Sequence, residues 1–184
     1  MNVFQAAQSH GVRRIIFASS NWVMGGYRFG TERLTTDIPP WPINPYGHSK
    51  LFGERVGLSL STHSKISFIG FRIGYCQPDH DNQPGRHMNY SSWGQGMWLS
   101  DRDLCHGMER AVLAEGVEFA VLNLMSENPG MRWDIEQTKK TIGYQPRDGF
   151  ATDLDERMLS AESLAKGARI LADQLNAFIV TQRL

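Results

Sequence analysis

Three short runs of apolar, β-branched and aromatic residues punctuate this chain: Val12 to Ala18, Ile66 to Ile73 and Val117 to Met125. Each is short, mostly apolar without strict alternation, and bounded by glycine or polar residues, so all three are expected to be buried parallel strands. Between them the apolar residues recur at helical spacing. Residues 2 to 10 carry Val3, Phe4, Ala6 and Ala7 and stop at Gly11, a favourable residue just past a helix end. Residues 45 to 62 open on Asn44-Pro45, a cap followed by a first-turn proline. Leu51, Val56, Leu58 and Leu60 give that helix an apolar side, and Gly47, Gly53 and Gly57 suggest the close approach of another helix. Ser100-Asp101-Arg102-Asp103 reads as a capping box with aspartate in place of glutamate. It opens a helix with Leu104, Met108, Ala111 and Val112 on one face, ending near Gly116. Met131 to Gly143 patterns as a further amphipathic helix, and residues 153 to 182, rich in Ala, Leu, Glu, Arg and Gln, as one or two more. Residues 21 to 44, with three glycines and three prolines, read as a long loop, including the cluster Gly25-Gly26-Tyr27-Arg28-Phe29-Gly30. Strands alternating with helices predict an α/β fold with a parallel sheet.

Chemistry concentrates between the first strand and the second helix. Ser19 and Ser20 stand at the carboxyl end of the first strand, and Tyr46 and Lys50 lie one turn apart on the helix, so the phenol and the ammonium share a face. An ammonium held beside a phenol favours the phenolate, bringing Tyr46 towards proton exchange near neutral pH. A neighbouring serine hydroxyl would polarise a substrate carbonyl or alcohol.

These residues resemble a known pattern. Phe17-Ala18-Ser19-Ser20-Asn21-Trp22-Val23-Met24-Gly25, Pro45-Tyr46-Gly47-His48-Ser49-Lys50 and the strand end Phe71-Arg72-Ile73-Gly74 are similar to the extended short-chain dehydrogenase/reductases, the NAD-dependent epimerase/dehydratase family, with sugar-acid dehydrogenases the nearest branch. Trp98-Leu99-Ser100-Asp101-Arg102-Asp103 and Gly143-Tyr144-Gln145-Pro146 extend the similarity to about Phe150. The resemblance implies an NAD- or NADP-dependent oxidoreductase or epimerase acting on a sugar or sugar acid. It implies Ser20, Tyr46 and Lys50 as the catalytic set, Ala18, Ser19, Tyr46, Lys50 and Ile73 at the cofactor, and Asn21, Tyr75 and Arg86 at the substrate. It implies a homodimer through helices 2–10 and 45–62. Met24 and Trp22 depart from the residues frequent at those places, so the substrate is not transferred.

The family begins with a strand, a glycine-rich turn and a helix that holds the cofactor pyrophosphate. Gly11 is the only glycine before the Ser19-Ser20 strand end, so the expectation is a partial Rossmann-type sheet lacking the amino-terminal glycine-rich βαβ units, with 1–150 as its carboxyl-terminal part and 151–184 as a helical extension. A second function follows from the same departure: a catalytically inactive remnant that serves as a partner-binding or dimeric module. The 184 residues carry 19 basic and 19 acidic side chains, a formal net charge of zero, which gives no reason to expect a nucleic-acid or membrane-surface partner. The amino terminus lacks a signal-peptide pattern, and Cys76 and Cys105 lack metal-ligand spacing, so a cytoplasmic location with two packed, reduced thiols is expected. Asp79, His80, Asp81 and His87 are close in sequence, but a proline-flanked loop rarely closes a metal site unaided, and no metal is expected.

Overall fold

A computed structural model describes residues 2–76, 92–151 and 156–181. Three parallel strands, β1 (Arg14–Ser20), β2 (Ser67–Ile73) and β3 (Phe119–Leu124), form one sheet in that order, with Ser20 opposite Ile73 and Arg72 opposite Asn123. Helix α1 (Asn2–Ser9) precedes β1, and α2 (Pro45–His63) makes the crossover to β2. Helices α3 (Ser92–Gly96) and α4 (Asp101–Leu113) lead to β3, and α5 (Glu136–Ile142) and α6 (Glu156–Thr181) follow it. This is the expected α/β arrangement, a parallel sheet flanked by helices. Among the described residues no helix is long and apolar enough to cross a membrane.

Local chemistry sets several of these boundaries. Asn44 accepts a hydrogen bond from the Gly47 amide at 2.7 Å and starts α2, while Ser100 accepts from the Asp103 amide at 3.0 Å and starts α4. Gly11 and Gly143 take positive φ, +64° and +69°, where the chain leaves α1 and α5. At the amino end of the sheet Arg14 donates to the Ser67 hydroxyl and to the carbonyls of Ala111 and Ala114, so a strand residue satisfies the last carbonyls of α4.

The glycines of α2 serve a different purpose from the one expected. A Cβ on Gly53 would lie 2.3 Å from the Phe17 ring, one on Gly57 2.2 Å from the Phe68 ring, and one on Gly47 2.5 Å from the Trp22 carbonyl. What approaches is the sheet's aromatic row and the backbone after β1, not another helix. Phe68, fully buried, contacts the rings of Phe4, Phe17 and Phe119 at centroid distances of 5.7 to 6.0 Å. Gly57→Ala should therefore lose stability. Overpacking at a fixed ring costs about 1–3 kcal/mol, which outweighs the roughly 1 kcal/mol that alanine gains in helix propensity. Urea unfolding measures the balance, and a variant as stable as the parent would mean that Phe68 can swing aside.

Two expected elements differ. Residues 21–44 are not all loop: Asn21–Tyr27 forms a 3-10 helix whose first turn is fixed by the Ser20 hydroxyl accepting from the Trp22 amide at 3.2 Å. Gly25 and Gly26 are buried in it, and Gly26 lies under the Trp41 ring, so the glycine cluster is a packing seat. The helix expected from Met131 begins only at Glu136. Before it, the Leu34 amide donates to the Arg132 carbonyl and the Asp134 amide to the Leu34 carbonyl, taking the backbone groups a helix would need. Trp133 and Ile135 are buried from that extended lead. Residues 156–181 form one helix, and α3 was not signalled by any periodicity.

Candidate functional site

The carboxyl ends of β1 and β2 and the first turns of α2 bring the sequence-predicted catalytic residues to one end of the sheet. Tyr46 and Lys50 project from α2, with the Lys50 ammonium 5.4 Å from the centre of the Tyr46 ring. The same ammonium donates to the Ala18 carbonyl at 2.8 Å and stands 5.5 Å from the Phe17 ring, so it is tied to the catalytic strand itself. Tyr46 is 52% exposed, and its phenol is open to a ligand. Ser20 is 5% exposed at the strand end. Because its oxygen already accepts from the Trp22 amide, its own hydroxyl hydrogen remains free to be donated.

Asn21 is also buried, and its Nδ2 donates to the Ile73 carbonyl at 3.0 Å, fastening the ends of β1 and β2. Its Oδ1 is buried with no hydrogen-bond partner. Tyr75 lies two residues past β2, fixed through its backbone: its amide donates to Met97 and its carbonyl accepts from Leu99. Arg86, and the loop with Asp79, His80, Asp81 and His87, lie outside the described residues. Cys76 is half buried, and burial pushes its thiol up to about 11, so it stays protonated at neutral pH and is no base or nucleophile there. Cys105 is exposed rather than packed, contrary to the sequence expectation, because it lies on the solvent side of α4.

Two residues that the motif reading passed over organise the site from below. Glu54 and Arg72, 4% and 3% exposed, form a bidentate pair with nitrogen to oxygen distances of 3.0 and 3.1 Å. Ser19 donates to Glu54 at 2.6 Å, and a further Arg72 nitrogen contacts the Met24 sulfur at 3.2 Å. The Ser19 hydroxyl, expected at a cofactor, is thus held beneath the strand end. The signal was present in the sequence. Glu54 is the single acidic residue on a stripe with Gly47, Gly53 and Gly57, and Arg72 is the single charge in the apolar run from Ile66 to Ile73. Opposite charges isolated in two elements destined for burial have to meet.

Comparison with known proteins follows the same outline. Residues 1–88 match the model of the NAD dependent epimerase/dehydratase family. The chain is 35% identical over 151 residues to uronate dehydrogenase of Pseudomonas putida, covering 82% of this chain and 52% of that protein. It is 32% identical over 165 residues to L-arabinose 1-dehydrogenase (NAD(P)(+)) of Haloferax volcanii, covering 82% and 65%. Among solved structures, a mutant uronate dehydrogenase from Agrobacterium tumefaciens complexed with NAD superposes with a TM-score of 0.69 at 32% identity, over 80% of this chain and 52% of that one. The chain therefore spans about half to two thirds of the length of these relatives.

Proposed function

We propose that this chain, whose residues 1–88 match the model of the NAD dependent epimerase/dehydratase family, carries the catalytic half of an NAD-dependent oxidoreductase acting on a sugar or sugar acid. The supporting observation is the joint placement of Tyr46 and Lys50 on α2, with the Lys50 ammonium bound to the carbonyl of Ala18 two residues before Ser20.

The residues present suit one end of the cofactor. Tyr46 and Lys50 would hold the nicotinamide ribose, since an ammonium has three hydrogens and Ala18 occupies one. The backbone of Ala18, Ser19 and Ile73 would line the strand ends beside it. The pyrophosphate end has no such cradle among the described residues. Gly11 lies past the carboxyl end of α1, where the helix presents carbonyls, and Gly25-Gly26 are buried under Trp41. When bound, NAD would supply the hydride acceptor.

The chain's own residues would manage the proton. Tyr46 would accept the proton of the substrate hydroxyl as the carbonyl forms, with the Lys50 ammonium beside its ring. Ser20 donates its free hydroxyl hydrogen to the same substrate oxygen, and Asn21, with an unpartnered buried acceptor, is suited to a neighbouring substrate hydroxyl. Arg86 and Tyr75 are proposed at the substrate on the grounds of the resemblance alone.

One observation favours a second reading, an inactive partner-binding module: β1 is an outer strand of the described sheet, with β2 on one side only. Titration of the purified chain with NADH, read by energy transfer from its tryptophans, separates the two. Saturable binding at about micromolar concentration is expected for a retained cofactor site. No binding up to roughly millimolar would favour the inactive module for this chain alone.

A further inference from the structure

Helix α6 is oriented against the usual rule for amphipathic helices. Its polar side faces the body. Glu162 is 7% exposed and lies close enough to Arg132 to act on its charge, Lys166 pairs with Glu162 at 3.4 Å, and the Arg169 guanidinium sits 4.1 Å above the Trp41 ring. Its leucines face outward: Leu164, Leu171 and Leu175 are 76%, 58% and 54% exposed. At about 100° per residue these leucines fall within roughly 40° of each other, opposite the arc that holds Glu162, Lys166 and Arg169. Leu159 and Ile170, also exposed, lie outside the stripe, about 140° and 120° from its centre and beside Lys166.

We infer that the outward stripe of α6 is a self-association surface, on which a second copy of this chain lays its own α6 antiparallel. The spacing Ala161, Leu164, Ala168, Leu171, Leu175 alternates three and four residues, the repeat of a helix-to-helix seam. About a two-fold axis at Ala168 the stripe complements itself. Leu164 meets the partner's Leu171, Leu175 covers the partner's Ala161, and Ala168 faces the partner's Ala168, a small residue where the two backbones come nearest. None of the five positions carries a charge, so nothing in the stripe repels its own copy.

The area sets the strength. A helix of 26 residues is about 39 Å long and about 10 Å wide, so the seam buries on the order of 400 Å² per copy, against about 800 Å² in a standard interface. The dimer is accordingly weak and concentration-dependent, and it is distinct from any pairing through α1 and α2.

Sedimentation velocity of the 184-residue chain between about 5 and 200 µM should show a reversible monomer–dimer equilibrium. Leu164→Glu with Leu171→Glu should weaken it at least about tenfold without changing the circular dichroism, since both side chains are exposed. In a Cys105→Ser background, Ala168→Cys should form a disulfide-linked dimer on mild oxidation. That pairing should persist when Phe52→Glu is added on the exposed face of α2. A chain that is monomeric throughout overturns the inference, as does a dimer that survives the leucine substitutions or one abolished by Phe52→Glu. If the double variant unfolds, failure of Ala168→Cys to cross-link is by itself sufficient to overturn it.

Discussion

Tyr46→Phe is expected to lower turnover on the order of 10²–10⁴-fold, the usual contribution of a positioned acid/base group, in an assembly that binds NAD. The substitution removes one oxygen and leaves the ring. Because Tyr46 is half exposed and outside the buried core, the loss should not come from unfolding, and stability should change by no more than about 0.5 kcal/mol. The affinity for NADH should fall by no more than about tenfold, the worth of one hydrogen bond to the ribose, since Lys50 keeps its place at Ala18. The variant is to be assayed with saturating NAD and a panel of sugar acids beside the parent. Near-normal turnover would mean that another group moves the proton, and the catalytic reading of the Tyr46–Lys50 pair would fail with it.

The second large effect lies beneath the site. Glu54→Gln should destabilise the fold by about 3–5 kcal/mol, because the Arg72 guanidinium, 3% exposed, would be left charged without its carboxylate. Set against a total of about 5–15 kcal/mol for a domain, that is enough to populate the unfolded state. The loss is not evidence that the pair as a whole is stabilising, since removing two charges from water is itself expensive. Replacing both partners, Glu54→Leu with Arg72→Met, should recover most of the stability of the parent. Urea denaturation of the two variants tests this directly. If Glu54→Gln costs less than about 1 kcal/mol, water reaches Arg72 and the pair is not truly buried.

The contrast between these two residues and the catalytic set shows what a sequence can reveal. Tyr46 and Lys50 were legible because a one-turn spacing is a local fact, and Asn44, Pro45, Ser100, Gly11 and Gly143 marked helix ends for the same reason. Trp133 and Ile135 were misread because their periodicity is helical, while a segment about one hundred positions earlier, at Leu34, claims their backbone groups. Asn21 to Tyr27 were misread because glycine suits a loop and a close-packed turn equally, and only Trp41 over Gly26 distinguishes them. The glycines of α2 were recognised as contact points, but the kind of neighbour was not, since the row of Phe17, Phe68 and Phe119 exists only once the strands have aligned. Glu54 and Arg72 could have been paired from their isolation, a cue independent of any motif.

Strand order in the sheet also bears on how the chain assembles during synthesis. The strands lie side by side in the order in which they leave the ribosome, β1, β2, β3, so each new strand can dock on one already present and no earlier strand has to be parted to admit it. Arg14 is translated long before α4, and it is in place to receive the carbonyls of Ala111 and Ala114 as that helix completes. Among the described strands the sheet thus grows in one direction as it is made, and the helix that leads to β3 is fastened at its end to a residue of β1.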